Sequence, residues 1–131
     1  MSEAGQGAGF FPRQTQIDTY GNGGFRFGGV SHRGSLLCLP REMRAWSVTA
    51  ARDLTLQSLA PILAVADQID VLLIGLGSDI VALSPDIRAA FRERRVIVEA
   101  IATGGAVRTY NVLMAEDRAV AAAFIAVENA R

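Results

Sequence analysis

The chain has no lysine, one cysteine and one histidine among its 131 residues. Without lysine it can form no Schiff base with a carbonyl substrate and has no lysine for a P-loop. The single cysteine, Cys38, excludes a disulfide within the chain, and Cys38 with His32 gives too few ligands for a zinc cage. We therefore expect no metal and no cofactor.

The chain also has no net charge, because 13 arginines balance 13 acidic residues. A neutral surface has no bulk attraction to nucleic acid or to an acidic membrane. No uninterrupted apolar run reaches the roughly 18 residues of a membrane-spanning helix, and none precedes a signal cleavage site. We expect a cytoplasmic protein with no nucleic-acid partner and no stable membrane insertion.

Half of the residues are hydrophobic, which is enough for one core. Residues 1–13 are glycine-rich and aperiodic and predict a flexible tail, which leaves residues 14–131 as a single domain. A β meander is expected from Ile17 to Leu39. Its first turn is predicted at Gly21–Gly24 and its second at Ser31–Gly34.

Helix and strand patterns alternate after the meander. Apolar residues recur at helical spacing from Thr55 or Ser58 to Ile69. The run Val71–Ile74 is typical of a strand buried on both faces in a parallel sheet. Further elements are predicted as a helix at Ser84-Pro85, a buried strand at Val96–Val98, a helix capped by Thr103 and a strand within Val120–Val127. This order predicts an α/β fold of three layers, with a mostly parallel central sheet (βαβαβ) and an N-terminal β meander.

One candidate site follows the first buried strand. Gly75 and Gly77 let backbone N–H groups approach an anion, Ser78 comes next, and open α/β sheets bind ligands beyond their strand ends. Glu99 comes 24 residues after Gly75, about where a ribose-binding carboxylate would lie. The third glycine of the dinucleotide fingerprint is missing, so an ordinary turn is the favoured interpretation.

A second candidate site is the helix start at Thr103-Gly104-Gly105. Its free N–H groups can hold a carboxylate or phosphate, and Arg108 lies one turn further on. Asn111 can position a ligand or bond to a neighbouring loop. An ordinary helix cap is favoured, although this is the better of the two anion sites. The candidate ligand-binding residues are therefore Gly75, Gly77, Ser78, Glu99, Thr103, Gly104, Arg108 and Asn111.

Several ordered blocks resemble a known family: YGNGGFRFGG, IDVLLIGLG, SPDIRAAF, VEAIATGGAVRTYNVLMAEDR and VAAAFI. This family of small archaeal and bacterial domains includes the vertebrate adipogenesis-associated domain protein and the mitochondrial complex I assembly factor 3. The resemblance covers residues 14–127. It implies a three-layered fold and, for some relatives, a role in assembling a membrane complex, and it supplies no catalytic residues.

Two functions stay open. The first is a non-catalytic accessory or assembly factor that binds another protein, for a membrane or respiratory complex. The alternative is a small-molecule or nucleotide-phosphate binding protein, or an enzyme, that uses the crevice at the strand ends. Convergence of Glu99, Arg108 and Asn111 on a cleft would favour the ligand. Hydrogen bonds from them to protein backbone would favour the accessory factor, with a protein partner of unknown identity and homo-oligomerisation left open.

Overall fold

Strands dominate the computed structural model, which describes residues 10–130. Its strands are β1 Phe10–Phe11, β2 Thr19–Gly21, β3 Gly24–Phe27, β4 Val30–Arg33, β5 Ser35–Leu39, β6 Glu42–Trp46, β7 Val71–Gly75, β8 Ile97–Ile101 and β9 Val120–Phe124. Its helices are α1 Ala60–Leu63, α2 Pro85–Glu93 and α3 Thr103–Ala115, with 3₁₀ turns at Ala51–Asp53, Gln57–Leu59 and Ala66–Gln68.

The larger sheet has the strand order β1-β6-β5-β9-β7-β8. β7 pairs in parallel with β8 and with β9, as the predicted βαβαβ order requires. The remaining pairs, β9 with β5, β5 with β6 and β6 with β1, are antiparallel. The α/β class is therefore confirmed, but the central sheet is mixed rather than mostly parallel. The β5–β6 hairpin joins the free edge of β9, whose backbone groups would otherwise lack strand partners.

The remaining three strands form a separate antiparallel sheet in the order β2-β3-β4. Its first turn, at Gly21–Gly24, is confirmed, with Asn22 and Gly23 at φ 53° and 77°. The predicted second turn at Ser31–Gly34 is wrong, because most of that segment lies in β4. The chain turns instead at Gly28-Gly29, where φ is 57° and 80°. Two adjacent residues that tolerate positive φ suit a two-residue hairpin loop.

Two predicted segments differ from the structure. Most of the predicted tail, residues 1–13, lies outside the described residues, but Phe10–Phe11 pairs with β6. The helix expected up to Ile69 is broken into α1 and flanking 3₁₀ turns. Its apolar residues still reach the core, with Leu59 and Ile62 fully buried. The spacing therefore identified the buried side but not the local hydrogen-bonding pattern.

Alternate residues of β7 pack on opposite faces of the sheet, and every residue of this strand is buried. Leu72 and Ile74 lie in the cluster that contains Ile87 and Phe91 of α2. Leu73 lies in the other cluster, with Tyr110 of α3 and aromatic residues of the smaller sheet. The two helices therefore cover opposite faces of the central sheet, as period-two alternation requires.

β8 is less buried than the sequence indicated. It is an edge strand, and its first residue, Ile97, is 63 % exposed. A run of branched residues is equally compatible with a central strand and with an edge, so the pattern alone did not distinguish them.

Thr103 holds the carboxyl ends of β7 and β9 to the start of α3. Its buried hydroxyl accepts a hydrogen bond from the Gly77 N–H at 2.9 Å and donates one to the Ile125 carbonyl at 2.7 Å. The Thr103 N–H donates to the Gly77 carbonyl at 3.0 Å. The predicted capping role is wrong, since Ala102 is the N-cap and the threonine hydroxyl is used between elements.

The two glycines of the Gly-x-Gly turn serve this arrangement. A Cβ on Gly75 would lie 2.9 Å from the Thr103 Oγ1 and 3.0 Å from the Thr103 Cα. Gly77 has φ +82°, a conformation that a residue with a Cβ rarely adopts. A close approach and a backbone conformation therefore account for both glycines.

We predict that Ile74→Ala lowers the free energy of unfolding by about 2–5 kcal/mol, because it removes a fully buried side chain and leaves a cavity. Urea unfolding followed through the single tryptophan, Trp46, measures the change. Ile80→Ala is the matched control, since Ile80 is 69 % exposed and should change stability by no more than about 0.5 kcal/mol. Equal losses for both variants would contradict the assignment of β7 to the core.

We predict that Thr103→Val, which keeps the shape and removes the hydroxyl, lowers stability by about 2–4 kcal/mol. The Gly77 N–H and the Ile125 carbonyl would each lose a buried partner. Thr103→Ser retains both bonds and loses one methyl group, so its cost should be nearer about 1 kcal/mol. Thermal or urea unfolding compares the two, and a valine variant as stable as wild type would show that the hydroxyl is dispensable.

Candidate functional site

A cleft of about 720 Å³ lies where β7 and β9 end and α3 begins. Its lining residues come from five segments: Tyr20 of β2, residues 49–52 after β6, the loop after β7, the start of α3 and the chain after β9. They are Tyr20, Thr49, Ala50, Ala51, Arg52, Leu76, Gly77, Ser78, Asp79, Val81, Ala102, Gly104 and residues 125–129. Carboxyl ends of parallel strands are the usual place for a site in an α/β fold.

The floor of the cleft is apolar and its rim is charged. Leu76, Gly77 and Ile125 are buried below it. Three charged side chains of the lining, Arg52, Asp79 and Glu128, are exposed and carry both signs. The cleft therefore combines an apolar interior with a rim that favours neither anions nor cations as a whole.

The loop after β7 carries an apolar pair beside this cleft. Ile80 is 69 % exposed, and Val81, which lines the cleft, is 40 % exposed. The two side chains form a small exposed apolar patch beside the cleft. Their only signal in the sequence is the apolar run Ile80–Leu83, which does not distinguish exposed from buried residues.

The structure brings together three of the predicted ligand-binding residues. Gly77, Ser78 and Gly104 line the cleft. Gly75 and Thr103 lie behind its wall in the hydrogen-bonded junction of β7, β9 and α3. The other three, Glu99, Arg108 and Asn111, lie outside the lining.

Asn111 is engaged with the backbone of the segment before β2. Its Oδ1 accepts from the Ile17 N–H and its Nδ2 donates to the Ile17 carbonyl, both at 2.8 Å. The neighbouring Tyr110 donates its hydroxyl to the Thr15 carbonyl at 2.8 Å. The polar block on α3 therefore fastens the N-terminal segment to the helix.

Glu99 and Arg108 are exposed, and neither contributes to the cleft lining. Glu99 lies in the middle of β8, opposite Leu73 of β7. The three side chains whose convergence would favour a ligand, Glu99, Arg108 and Asn111, therefore do not converge on this cleft.

Cys38 and Tyr110 are the titratable groups most affected by burial. Loss of hydration raises the pKa of the Cys38 thiol and of the Tyr110 hydroxyl far above their usual ranges. Both groups therefore stay neutral at physiological pH, and neither supplies a thiolate or phenolate nucleophile. Within residues 10–130, no group of three or more His, Cys, Asp or Glu side chains is arranged to hold a metal ion.

The helices of residues 10–130 are all too short or too polar to cross a membrane.

Comparison with known sequences identifies a matching family and several similar proteins. Residues 17–125 match the model of a family described as protein of unknown function (DUF498/DUF598). An uncharacterised protein of Rhodobacter capsulatus is 37% identical over 114 residues, which are 87% of this chain and 86% of that protein. The Xenopus tropicalis protein named NADH dehydrogenase [ubiquinone] 1 alpha subcomplex assembly factor 3 is 33% identical over 109 residues, or 83% of this chain. The chain matches only 60% of that vertebrate relative's length.

Solved structures agree with this placement. A structure described as an outer membrane protein from Bartonella henselae is 47% identical, with a TM-score of 0.86 over 90% of this chain and 99% of that one. A Bordetella pertussis protein described as a Mth938-like domain is 25% identical, with a TM-score of 0.78 over 88% of each chain. The resemblance of the sequence blocks to the assembly factor 3 family is thus confirmed, and the chain belongs to the family described as protein of unknown function (DUF498/DUF598).

Proposed function

We propose that this protein is a non-catalytic accessory factor that helps to assemble a respiratory membrane complex by binding a protein partner. The names of its vertebrate relatives, which are assembly factors of NADH dehydrogenase, support the assembly role. The observation that carries the binding mode is the apolar cleft with Ile80 and Val81 exposed beside it.

The cleft has the features of a protein-binding hot spot. Interfaces concentrate their binding energy in a few apolar or aromatic side chains that fill a pocket inside a polar rim. A partner side chain inserted here would contact Leu76 and Ile125 and cover Ile80 and Val81. The mixed charges of the rim would then set the orientation of the partner more than its affinity.

The chemistry of the remaining polar groups supports binding rather than turnover. The hydroxyl of Thr103 and the amide of Asn111 are hydrogen-bonded to backbone. Burial holds Cys38 and Tyr110 neutral. None of these four groups therefore offers a free nucleophile or base for covalent catalysis.

We predict that Ile80→Asp abolishes capture of the physiological partner, because a charge replaces an apolar contact. Affinity purification from the native host, with mass spectrometry, identifies proteins that wild type retains and the variant loses. In a strain lacking the protein, native gels should show less fully assembled respiratory complex, and the wild-type gene but not Ile80→Asp should restore it.

Val112→Asp is the matched control, since Val112 is also exposed but lies in the second half of α3, outside the cleft lining. It should retain the partner and restore assembly. Normal assembly in the strain lacking the protein would contradict the assembly role, and unchanged capture by Ile80→Asp would contradict the cleft as the docking site.

The second candidate function is a small-molecule or nucleotide-phosphate site in the same cleft. Ser78 and Gly104 of the predicted set lie in its lining, and Arg52 is the cation of the lining. An anion bound in this cleft would thus meet Arg52 rather than Arg108, which lies outside the lining.

Calorimetry with a panel of phosphate-bearing metabolites tests this alternative. The accessory-factor proposal predicts no saturable binding to any of them at micromolar concentration. Micromolar binding of one metabolite that is lost in Arg52→Ala and kept in Arg108→Ala would instead establish a ligand site. Measurable turnover of that metabolite would overturn the non-catalytic reading.

A further inference from the structure

β8 is the open edge of the larger sheet. It pairs with β7 on one side, and no strand of residues 10–130 lies on the other. The Ile97 N–H donates to the Asp70 carbonyl and the Ile101 carbonyl accepts from the Leu76 N–H, so Ile97 and Ile101 bond towards β7. Because backbone groups alternate along a strand, the N–H and C=O groups of Val98 and Ala100 face the open edge.

This edge has only part of the usual protection against pairing with another chain. Natural edge strands are kept short or carry charged side chains, proline or a bulge. The opposite edge, β1, has two residues and is followed by Pro12. β8 has five residues, no proline and one charged side chain, Glu99, and its Ile97 is 63 % exposed.

We propose that two copies of this chain pair antiparallel along β8 about a two-fold axis, with Val98 of one copy opposite Val98 of the other. In this register the outward N–H and C=O groups of the two Val98 residues bond reciprocally. Each Ala100 N–H then meets the Val96 carbonyl of the other copy. The Val96 N–H already donates to Phe91, so the pairing ends there.

The charge of Glu99 favours this register over the register shifted by one residue. Pairing centred on Glu99 would place two carboxylates directly opposite each other, which destabilises a strand pair. Centring on Val98 places Glu99 opposite the exposed Ile97 of the second copy. Arg95, two residues before Ile97, then comes from the second copy to the neighbourhood of Glu99.

α2 adds complementary charge beside the same edge. This helix packs on β8. Its exposed charged residues are Asp86 and Arg88 near its start and Arg92 and Glu93 at its end. A two-fold axis through the sheet sets the helix antiparallel to its copy, so Asp86 of each copy lies towards the Arg92 end of the other. A second copy is therefore a better occupant than an unrelated strand, because it supplies the opposite charges at matching places.

Sedimentation equilibrium over a range of protein concentrations tests the pairing. We expect wild type to approach twice the 13.9 kDa of one chain as its concentration rises. Ile97→Asp, which places a carboxylate opposite Glu99 of the second copy, should weaken the dimer at least about tenfold. Added salt should weaken the wild-type dimer, because the charge pairs are exposed.

Ile80→Asp is the control, with an equally exposed apolar residue replaced at the cleft. It should dimerise as wild type does. Ile97→Asp should melt at the temperature of a monomeric wild-type sample, which excludes a folding defect. Hydrogen exchange reports the register, because the Val98 and Ala100 amides should become protected at high concentration in wild type and stay unprotected in Ile97→Asp.

A chain that remains monomeric at its highest soluble concentration would overturn the proposal. A dimer that is unaffected by Ile97→Asp would also overturn it, since the contact would then lie elsewhere. This inference does not rest on the proposed assembly role. Ile80→Asp tests the cleft and Ile97→Asp tests the edge, so either can fail alone.

Discussion

The hydroxyl of Thr103 is the constraint on which the arrangement of this protein depends. It satisfies one backbone donor and one backbone acceptor from separate elements, the turn after β7 and the end of β9. Both groups are buried and would be costly without a partner. The side chain therefore fixes where α3 begins relative to the two central strands. Position 75 is occupied by glycine because a Cβ there would come too close to Thr103.

The same constraint shapes the cleft. The Gly-x-Gly turn and the Thr-Gly-Gly helix start look like anion-binding elements when read separately, but in the structure they bind each other. Gly77 gives its N–H to Thr103 rather than to a ligand. The cleft that remains has Leu76 and Ile125 in its floor, charged residues on its rim and the exposed pair Ile80 and Val81 beside it.

α3 has a second structural task. Through Tyr110 and Asn111 it binds the backbone of residues 15–17, which lead into the smaller sheet. Tyr110 also packs edge-on against Phe124 of β9, with ring centroids 5.4 Å apart. One helix thus joins the parallel strands, the N-terminal segment and the smaller sheet. The polar side chains of Tyr110 and Asn111 are explained by these contacts without a ligand.

Local sequence determined the elements with strong local signals. Val71–Ile74 and Val120–Phe124 are short apolar runs of the kind that strands buried on both faces carry, and Ser84-Pro85 starts a helix because proline is tolerated in a first helical turn. Tertiary structure decided whatever depends on residues distant in sequence. The β5–β6 hairpin makes the sheet mixed because β9 offers it a free edge. The Thr103 hydroxyl does not cap α3, because it is hydrogen-bonded to Gly77 and Ile125, which lie 26 and 22 residues away in sequence. The cleft is assembled from five separate segments, so no single motif contained it. The spacing of residue types along the chain reflects local hydrogen bonding and burial. Contacts between elements that are distant in sequence form only when the sheet assembles.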